Sequence, residues 1–293
     1  MFYLFYGFIW LITWLPLGVL YLFSDFFFLL VYFVAGYRKK VVRENLNNSF
    51  PTKTEKEKRK IERQFYRFFC DLFIEILKEM HMSKAEICRR MTMGNLDEVL
   101  EQTAKGKSVM LMTAHYGNWE WTSAISAYCP QESLVYAVYR RLKNKNSDSF
   151  IYSLRSKLGA INIEKSNLVR TMIRLKKEGK PGMFGMISDQ TPSRGHIHYW
   201  TDFLNQDTAT LNGTEQLARK FDYPVFFARI TRKKRGYYHC ELIPISLEPK
   251  LTPEFEITET YMRLLEKTII DQPAYWLWSH RRWKNGRKVV SEN

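Results

Sequence analysis

The residues best suited to chemistry lie in Ser108-Val-Met-Leu-Met-Thr-Ala-His-Tyr-Gly-Asn-Trp-Glu-Trp121, where four residues separate His115 from Glu120. An imidazole steered by a carboxylate is the minimum apparatus for taking a proton from an alcohol or a water. On one regular helix, residues five apart diverge by about 140°, so the pair could not meet there. The apolar run Val109 to Met112 reads as a buried strand, and Gly117 follows His115 directly. This order predicts His115 on a strand-to-helix turn, with Asn118 as N-cap and Glu120 on the first helical turn reaching back to the ring. A His near an acid is also the ordinary make-up of a surface or capping pair. Position separates the two readings, because open α/β sheets place ligands at the carboxyl ends of their strands.

Further units of the same kind follow. Leu134 to Tyr139 reads as a strand closed by Arg140-Arg141-Leu-Lys143, and Asn146 to Leu158 as a helix stopped by Gly159. Ala160 to Ile163 is a short strand, Ser166 to Glu178 a helix, and Met183 to Ser188 a strand running into Asp189-Gln190. These repeats predict an α/β fold with a mixed, largely parallel sheet flanked by helices, and one rim that collects His115, Arg140 and Asp189. Thr191 to Thr210 reads as a long loop, and Asn45 to Pro51 as a turn. Thr54 with Glu57 has capping-box spacing before a helix whose apolar positions run from Ile61 to Leu77. Pro224 to Thr231 and Tyr237 to Ile245 read as a hairpin about Arg232–Gly236, and Thr258 to Asp271 as a final helix.

With 45 Lys and Arg against 30 Asp and Glu in 293 residues, the chain carries a formal charge of +15, which calls for a polyanionic neighbour. Membrane proximity accounts for that charge without nucleic acid. Met1 to Tyr37 holds one charged side chain, Asp25, and 15 of the 45 Phe, Trp and Tyr residues, a surplus that suits a bilayer interface. Pro16 and Gly18 divide the stretch. It reads either as one spanning helix from about Leu17 to Gly36 or as a hairpin dipping into one leaflet. Arg38, Lys39, Lys40 and Arg43 follow at once, which places the rest of the chain on the cytoplasmic side and draws it to anionic lipid. The division is thus a membrane anchor over 1–37 and a catalytic domain over 38–293. Cys70, Cys88, Cys129 and Cys240 form no CxxC pair and read as reduced thiols. His196 and His198 lack further ligands nearby, so no metal site is expected.

In order along the chain, these pieces resemble the late lauroyl/myristoyl acyltransferases of lipid A biosynthesis, which are related to glycerolipid acyltransferases. The likeness rests on Arg43-Glu-Asn-Leu46, Phe50-Pro51, His115-Tyr-Gly-Asn-Trp-Glu120, Tyr139-Arg-Arg-Leu-Lys-Asn144 and Asp189-Gln190. It continues through Leu217-Ala-Arg-Lys220 with Pro224-Val225, and Trp276-x-Trp278-x-His280-Arg-Arg-Trp283-Lys. The resemblance implies a bacterial inner-membrane O-acyltransferase with its catalytic domain on the cytoplasmic side. It would move a fatty acyl chain from an acyl carrier protein or acyl-CoA thioester to a hydroxyl of a lipid A precursor, without metal or redox cofactor. His115 would be the general base, oriented by Glu120. Arg140, or a backbone N–H near Asn118, would face the oxyanion or an anionic head group, and Asp189 and Gln190 would position the acceptor. Another lipid acceptor, a thioesterase using the same pair on water, and a non-catalytic membrane or nucleic-acid binder are the alternatives. Arg232 to Arg235 is the expected contact for an acidic carrier protein.

Overall fold

The computed structural model describes residues 2–141 and 143–286, without side-chain detail at 2–5 and 8. The helices are α1 (Phe2–Ile12), α2 (Leu17–Leu29), α3 (Lys39–Ser49), α4 (Glu55–Lys78), α5 (Lys84–Arg90), α6 (Leu96–Ala104), α7 (Lys145–Lys157), α8 (Leu168–Lys177), α9 (Gly213–Phe221) and α10 (Glu256–Asp271). The strands are β1 (Met91–Gly94), β2 (Val109–Thr113), β3 (Leu134–Tyr139), β4 (Ile161–Glu164), β5 (Gly182–Ile187), β6 (Trp200–Phe203), β7 (Gln206–Ala209), β8 (Val225–Lys234) and β9 (Tyr237–Ser246).

Seven strands form one sheet in the order β1-β9-β8-β2-β5-β3-β4, and only the β8–β9 pairing is antiparallel. The expected mixed, largely parallel α/β sheet is therefore the fold. Its central strand, β2, is buried along its whole length, as its unbroken apolar run requires. Period-two alternation separates the faces of the β8–β9 ribbon. Arg232 and Tyr238, paired across it, face α4, whereas Phe227 points the other way and meets Tyr261 of α10 edge-on at 5.5 Å.

Three expectations are corrected. Asn45 to Ser49 is the last turn of α3 rather than a loop, because Asn45 has partners that fix it there: its amide donates to the carbonyls of Trp278 (2.8 Å) and His280 (3.0 Å). The stretch 191–210 is not an uninterrupted loop, since it contains the β6–β7 hairpin, turned at Leu204 and Asn205 with positive φ. The helix after Asn118 is a 3-10 helix, Glu120–Ala127. The Thr54–Glu57 capping box forms as its spacing predicts.

The helix from Leu17 continues through a π turn to Val34, giving 18 residues of mean hydropathy 2.1, long and apolar enough to cross a membrane. One side joins the core through Leu17, Leu20, Phe28 and Tyr32. Its polar edge is bonded to α4: Tyr21 Oη donates to Glu75 (2.8 Å), and Ser24 Oγ to Asp71 (2.7 Å). The other side leaves Leu22, Phe26, Phe33 and Val34 exposed. The basic run after it is partly committed to the fold as well. Arg38 donates to the Ser279 carbonyl (2.9 Å), Lys39 lies 3.9 Å over the Tyr32 ring, and Arg43 pairs with Glu62 at 3.0 Å.

Candidate active site

Adjacent parallel strands bring the site together. Thr113 of β2 is in register with Ile187 of β5, so residues two beyond each end, His115 and Asp189, emerge level with one another. Asp189 Oδ1 lies 2.8 Å from His115 Nδ1, and Oδ2 accepts the His115 backbone N–H at 2.9 Å. Oδ2 also accepts the Trp276 indole N–H at 2.9 Å. Asp189 is buried, and burial alone would push its carboxyl up. The charge and hydrogen bond of His115 and the Trp276 N–H outweigh burial and hold it below the ordinary carboxylate value.

The expectation that Glu120 orients the imidazole is therefore corrected. Both Glu120 oxygens are taken by the fork of Arg155, at 2.8 Å each, and Oε1 also accepts the Trp119 indole N–H at 3.1 Å. Glu120 nonetheless belongs to the site. Its charge favours protonated His115, and the Trp119 ring lies between them, edge-on to the imidazole at 5.1 Å. Burial pushes His115 down, but Asp189, with Glu120 adding and Arg155 opposing, raises its pKa above the ordinary value.

The remaining expected residues divide. Gln190 is at the site, its amide nitrogen 3.2 Å from His115 Nε2. Asp189 is engaged by His115 and Trp276 rather than open to a substrate. Asn118 is fully buried and so does not face substrate; it donates to Glu75 (2.9 Å) and accepts the Trp121 N–H (3.3 Å), while the residue that caps the 3-10 helix is Trp119 rather than Asn118. Arg140 stands exposed just past the end of β3, on the same rim. Within the Arg232–Arg235 run the two arginines are committed to the fold: both pair with Asp71, Arg235 also with Asp25, and they lock the β8–β9 turn to α2 and α4, while Lys233 and Lys234 stand exposed. Cys129 lies 3.9 Å from the Met183 sulfur, and burial pushes its thiol up to about 11, which suits packing rather than attack. His196 and His198 lie in the 191–198 segment, and among the described residues no cluster of three metal-ligating side chains occurs.

Local structure explains why His115 sits where it does. Gly117 has φ +57°, and a Cβ there would stand 2.6 Å from Ile230 Cγ2. The chain can turn this tightly only with glycine. Tyr116 then forms a bridge to Trp276, the Gly117 N–H donates to the Tyr275 carbonyl (2.9 Å), and Tyr116 Oη donates to the Gln272 carbonyl (2.7 Å). A strap from Gln272 to Trp283 thus clamps the turn. An open cleft of about 610 Å³ lies at the opposite rim of the sheet, between Lys107, Ser246, Leu251 and Glu256, and holds none of these groups.

The sequence model of the bacterial lipid A biosynthesis acyltransferases matches residues 1–285. The chain belongs to that family. The lipid A biosynthesis palmitoleoyltransferase of Escherichia coli (strain K12) is 23% identical over 284 residues, covering 93% of this chain and 91% of the relative. The lauroyltransferase of the same organism is 26% identical over 284 residues, covering 95% and 89%. A lipid A biosynthesis acyltransferase of Shigella flexneri is 23% identical over the same span as the first.

For a lipid A acyltransferase, sequence reasoning missed Arg155 and Trp276 as parts of the site. Arg155 is one of three bases on α7, and nothing local marks it. Trp276 had a signal, an aromatic run interleaved with bases at 276–284, but no local rule links an indole to a carboxylate 87 residues away.

Proposed function

We propose that this lipid A acyltransferase moves a fatty acyl chain from an acyl carrier protein thioester to a hydroxyl of a membrane-held lipid A precursor, with His115 as general base. The observation that carries the reading is the His115–Asp189 hydrogen bond at the carboxyl rim of the sheet, with Nε2 turned to the Gln190 amide. With its proton on Nδ1 facing Asp189, His115 presents a lone pair at Nε2. An entering hydroxyl displaces the Gln190 amide and gives its proton to Nε2 as its oxygen attacks the thioester carbonyl. The new C–O bond forms, the tetrahedral oxyanion collapses, the C–S bond breaks, and the thiolate leaves with the proton from the imidazolium. Asp189 stabilises that cation. Such base catalysis contributes about 10²–10⁴-fold.

Glu120 and Arg155 set the field at the imidazole, and exposed Arg140 serves the oxyanion or an anionic head group from β3. No metal or redox group has a step in this scheme. The residues 1–37 act as the membrane anchor. Exposed Leu22, Phe26, Phe33 and Val34 lie against lipid, while Tyr21 and Ser24 hold the domain 38–293 close to the bilayer, on the cytoplasmic side of a bacterial inner membrane. Acyl-CoA as donor, or another lipid as acceptor, would use the same groups.

Membranes containing the protein, supplied with acyl carrier protein or CoA thioesters and a lipid A precursor, should yield precursor heavier by one acyl chain in a mass spectrum. His115→Ala should remove that product. Free fatty acid without acylated lipid would instead make the enzyme a thioesterase.

A further inference from the structure

Asp189 Oδ2 accepts two hydrogen bonds, from the His115 backbone N–H and from the Trp276 indole, both at 2.9 Å. Neither donor can reverse its role, because an amide N–H and an indole N–H only donate. Two fixed donors on Oδ2 favour the ionised carboxylate and leave Oδ1, 2.8 Å from His115 Nδ1, to face the ring. That oxygen is then the acceptor for an Nδ1 proton, and the lone pair of the neutral ring falls at Nε2, on the substrate side.

We propose that Trp276 is a positioning residue for the acyl transfer: by occupying Oδ2 of Asp189, its indole N–H holds the carboxylate with Oδ1 on His115 Nδ1 and leaves Nε2 free to take the proton. The proposal rests on the reading of His115 as base and deepens it.

The indole is built into place. It is 2% exposed and meets the Trp278 ring at 4.8 Å, with Trp283 and Phe203 each at 5.9 Å. Its backbone pairs with Tyr116, the residue after His115, so the strap that carries the donor also holds the base. Other groups surround the pair. Tyr261 donates to the Thr113 carbonyl, and Arg282 to the Ala209 carbonyl. His280 lies within reach of Thr191, while Glu120 and Arg155 flank the imidazole. His280 is pushed down to about 4, first by burial, and so is neutral in the working range. Trp276 is the one side chain other than His115 with a described hydrogen bond to the Asp189 carboxylate.

The test uses the full-length enzyme in membranes, with Trp276→Phe and with Trp276 replaced by benzothienylalanine, which keeps the bicyclic shape and lacks the N–H. Losing the donor frees the Asp189 carboxylate to turn away from Nδ1, which lowers the rate, and leaves it with more charge to share with His115, so the imidazolium gains stability. Both variants should lower kcat about tenfold while the KM for donor and acceptor stays within about twofold. The acid limb of the rate profile should move up by about half a pH unit. A purely structural role would alter thermal stability but not that limb. If His115→Ala is inactive and both variants keep the wild-type profile, the proposal is overturned and the base assignment stands. If His115→Ala retains activity, the base assignment itself fails and this proposal falls with it.

Discussion

His115 and Asp189 are 74 residues apart in the chain, yet their side chains meet at 2.8 Å because the strands that end beside them are parallel neighbours in register. The backbone N–H of His115 binds the same carboxylate, so the acid fixes both the turn and the ring. This pairing, rather than the local His115–Glu120 spacing, supplies the carboxylate that meets the imidazole.

Asp189→Asn should keep the shape of the site but lose the acceptor for the Nδ1 proton. An amide nitrogen turned toward Nδ1 would favour the opposite tautomer, with Nε2 protonated and unable to act as base. The expected loss in kcat is about 10²–10⁴-fold, with small changes in KM. Steady-state kinetics with a carrier-protein thioester would measure it, and a variant within a fewfold of wild type would rule out Asp189 as the orienter.

Activity and stability should respond to pH in opposite senses. The base must be neutral, so the rate rises as pH climbs through the raised pKa of His115, and the acid limb should lie above about 6.5. The stability that His115 contributes is fully present below its unfolded value and is lost as pH rises through the folded one. Asp189, held low, contributes stability above about 3.9 that is lost as pH falls through its folded pKa. Rate and Tm profiles of wild type and His115→Gln would check both senses. An acid limb at or below 6.5 would contradict the described field at the ring.

Gly117→Ala should cost stability and activity together. Left-handed backbone costs a non-glycine residue about 1–2 kcal/mol, and the new methyl would meet Ile230 Cγ2 at 2.6 Å. Pairing it with Ile230→Ala should relieve the clash and leave the backbone cost. Thermal unfolding of the two variants separates these contributions, and a single variant with wild-type Tm would show that the turn does not need glycine.

Asp71→Asn should be among the more damaging changes outside the site. Asp71 is 2% exposed and pairs with Arg232 and Arg235, and Arg232 is itself largely buried. Removing one partner of a buried pair costs about 3–5 kcal/mol. The unfolding midpoint should fall, whereas the KM for a carrier-protein donor measured on the folded fraction should not change. A raised KM with unaltered stability would return Arg232–Arg235 to the docking surface.

The sheet was readable wherever one face of a segment is apolar throughout or at a fixed period. Leu134–Tyr139 matches β3 at both ends, β2 differs from expectation by one residue at one end, and β5 by one residue at each end. Elements made by distant partners were not readable. β1 is four residues joined to β9, and α3 ends in Asn-Asn-Ser because Asn45 is bonded to a strap 233 residues away. The same divide runs through the site. His115, Gln190 and the carboxyl rim follow from local pattern. The partner of His115 depends on which strand lies beside β2, and that order is a property of the assembled sheet.

The strap at 272–283 has a bearing on biosynthesis. Residue 276 leaves the ribosome long after the turn it grips, so a nascent chain that has already laid down its central strands still lacks the indole on Asp189. The turn that carries His115 therefore gains its clamp only late in synthesis, after the strands on either side of it have emerged.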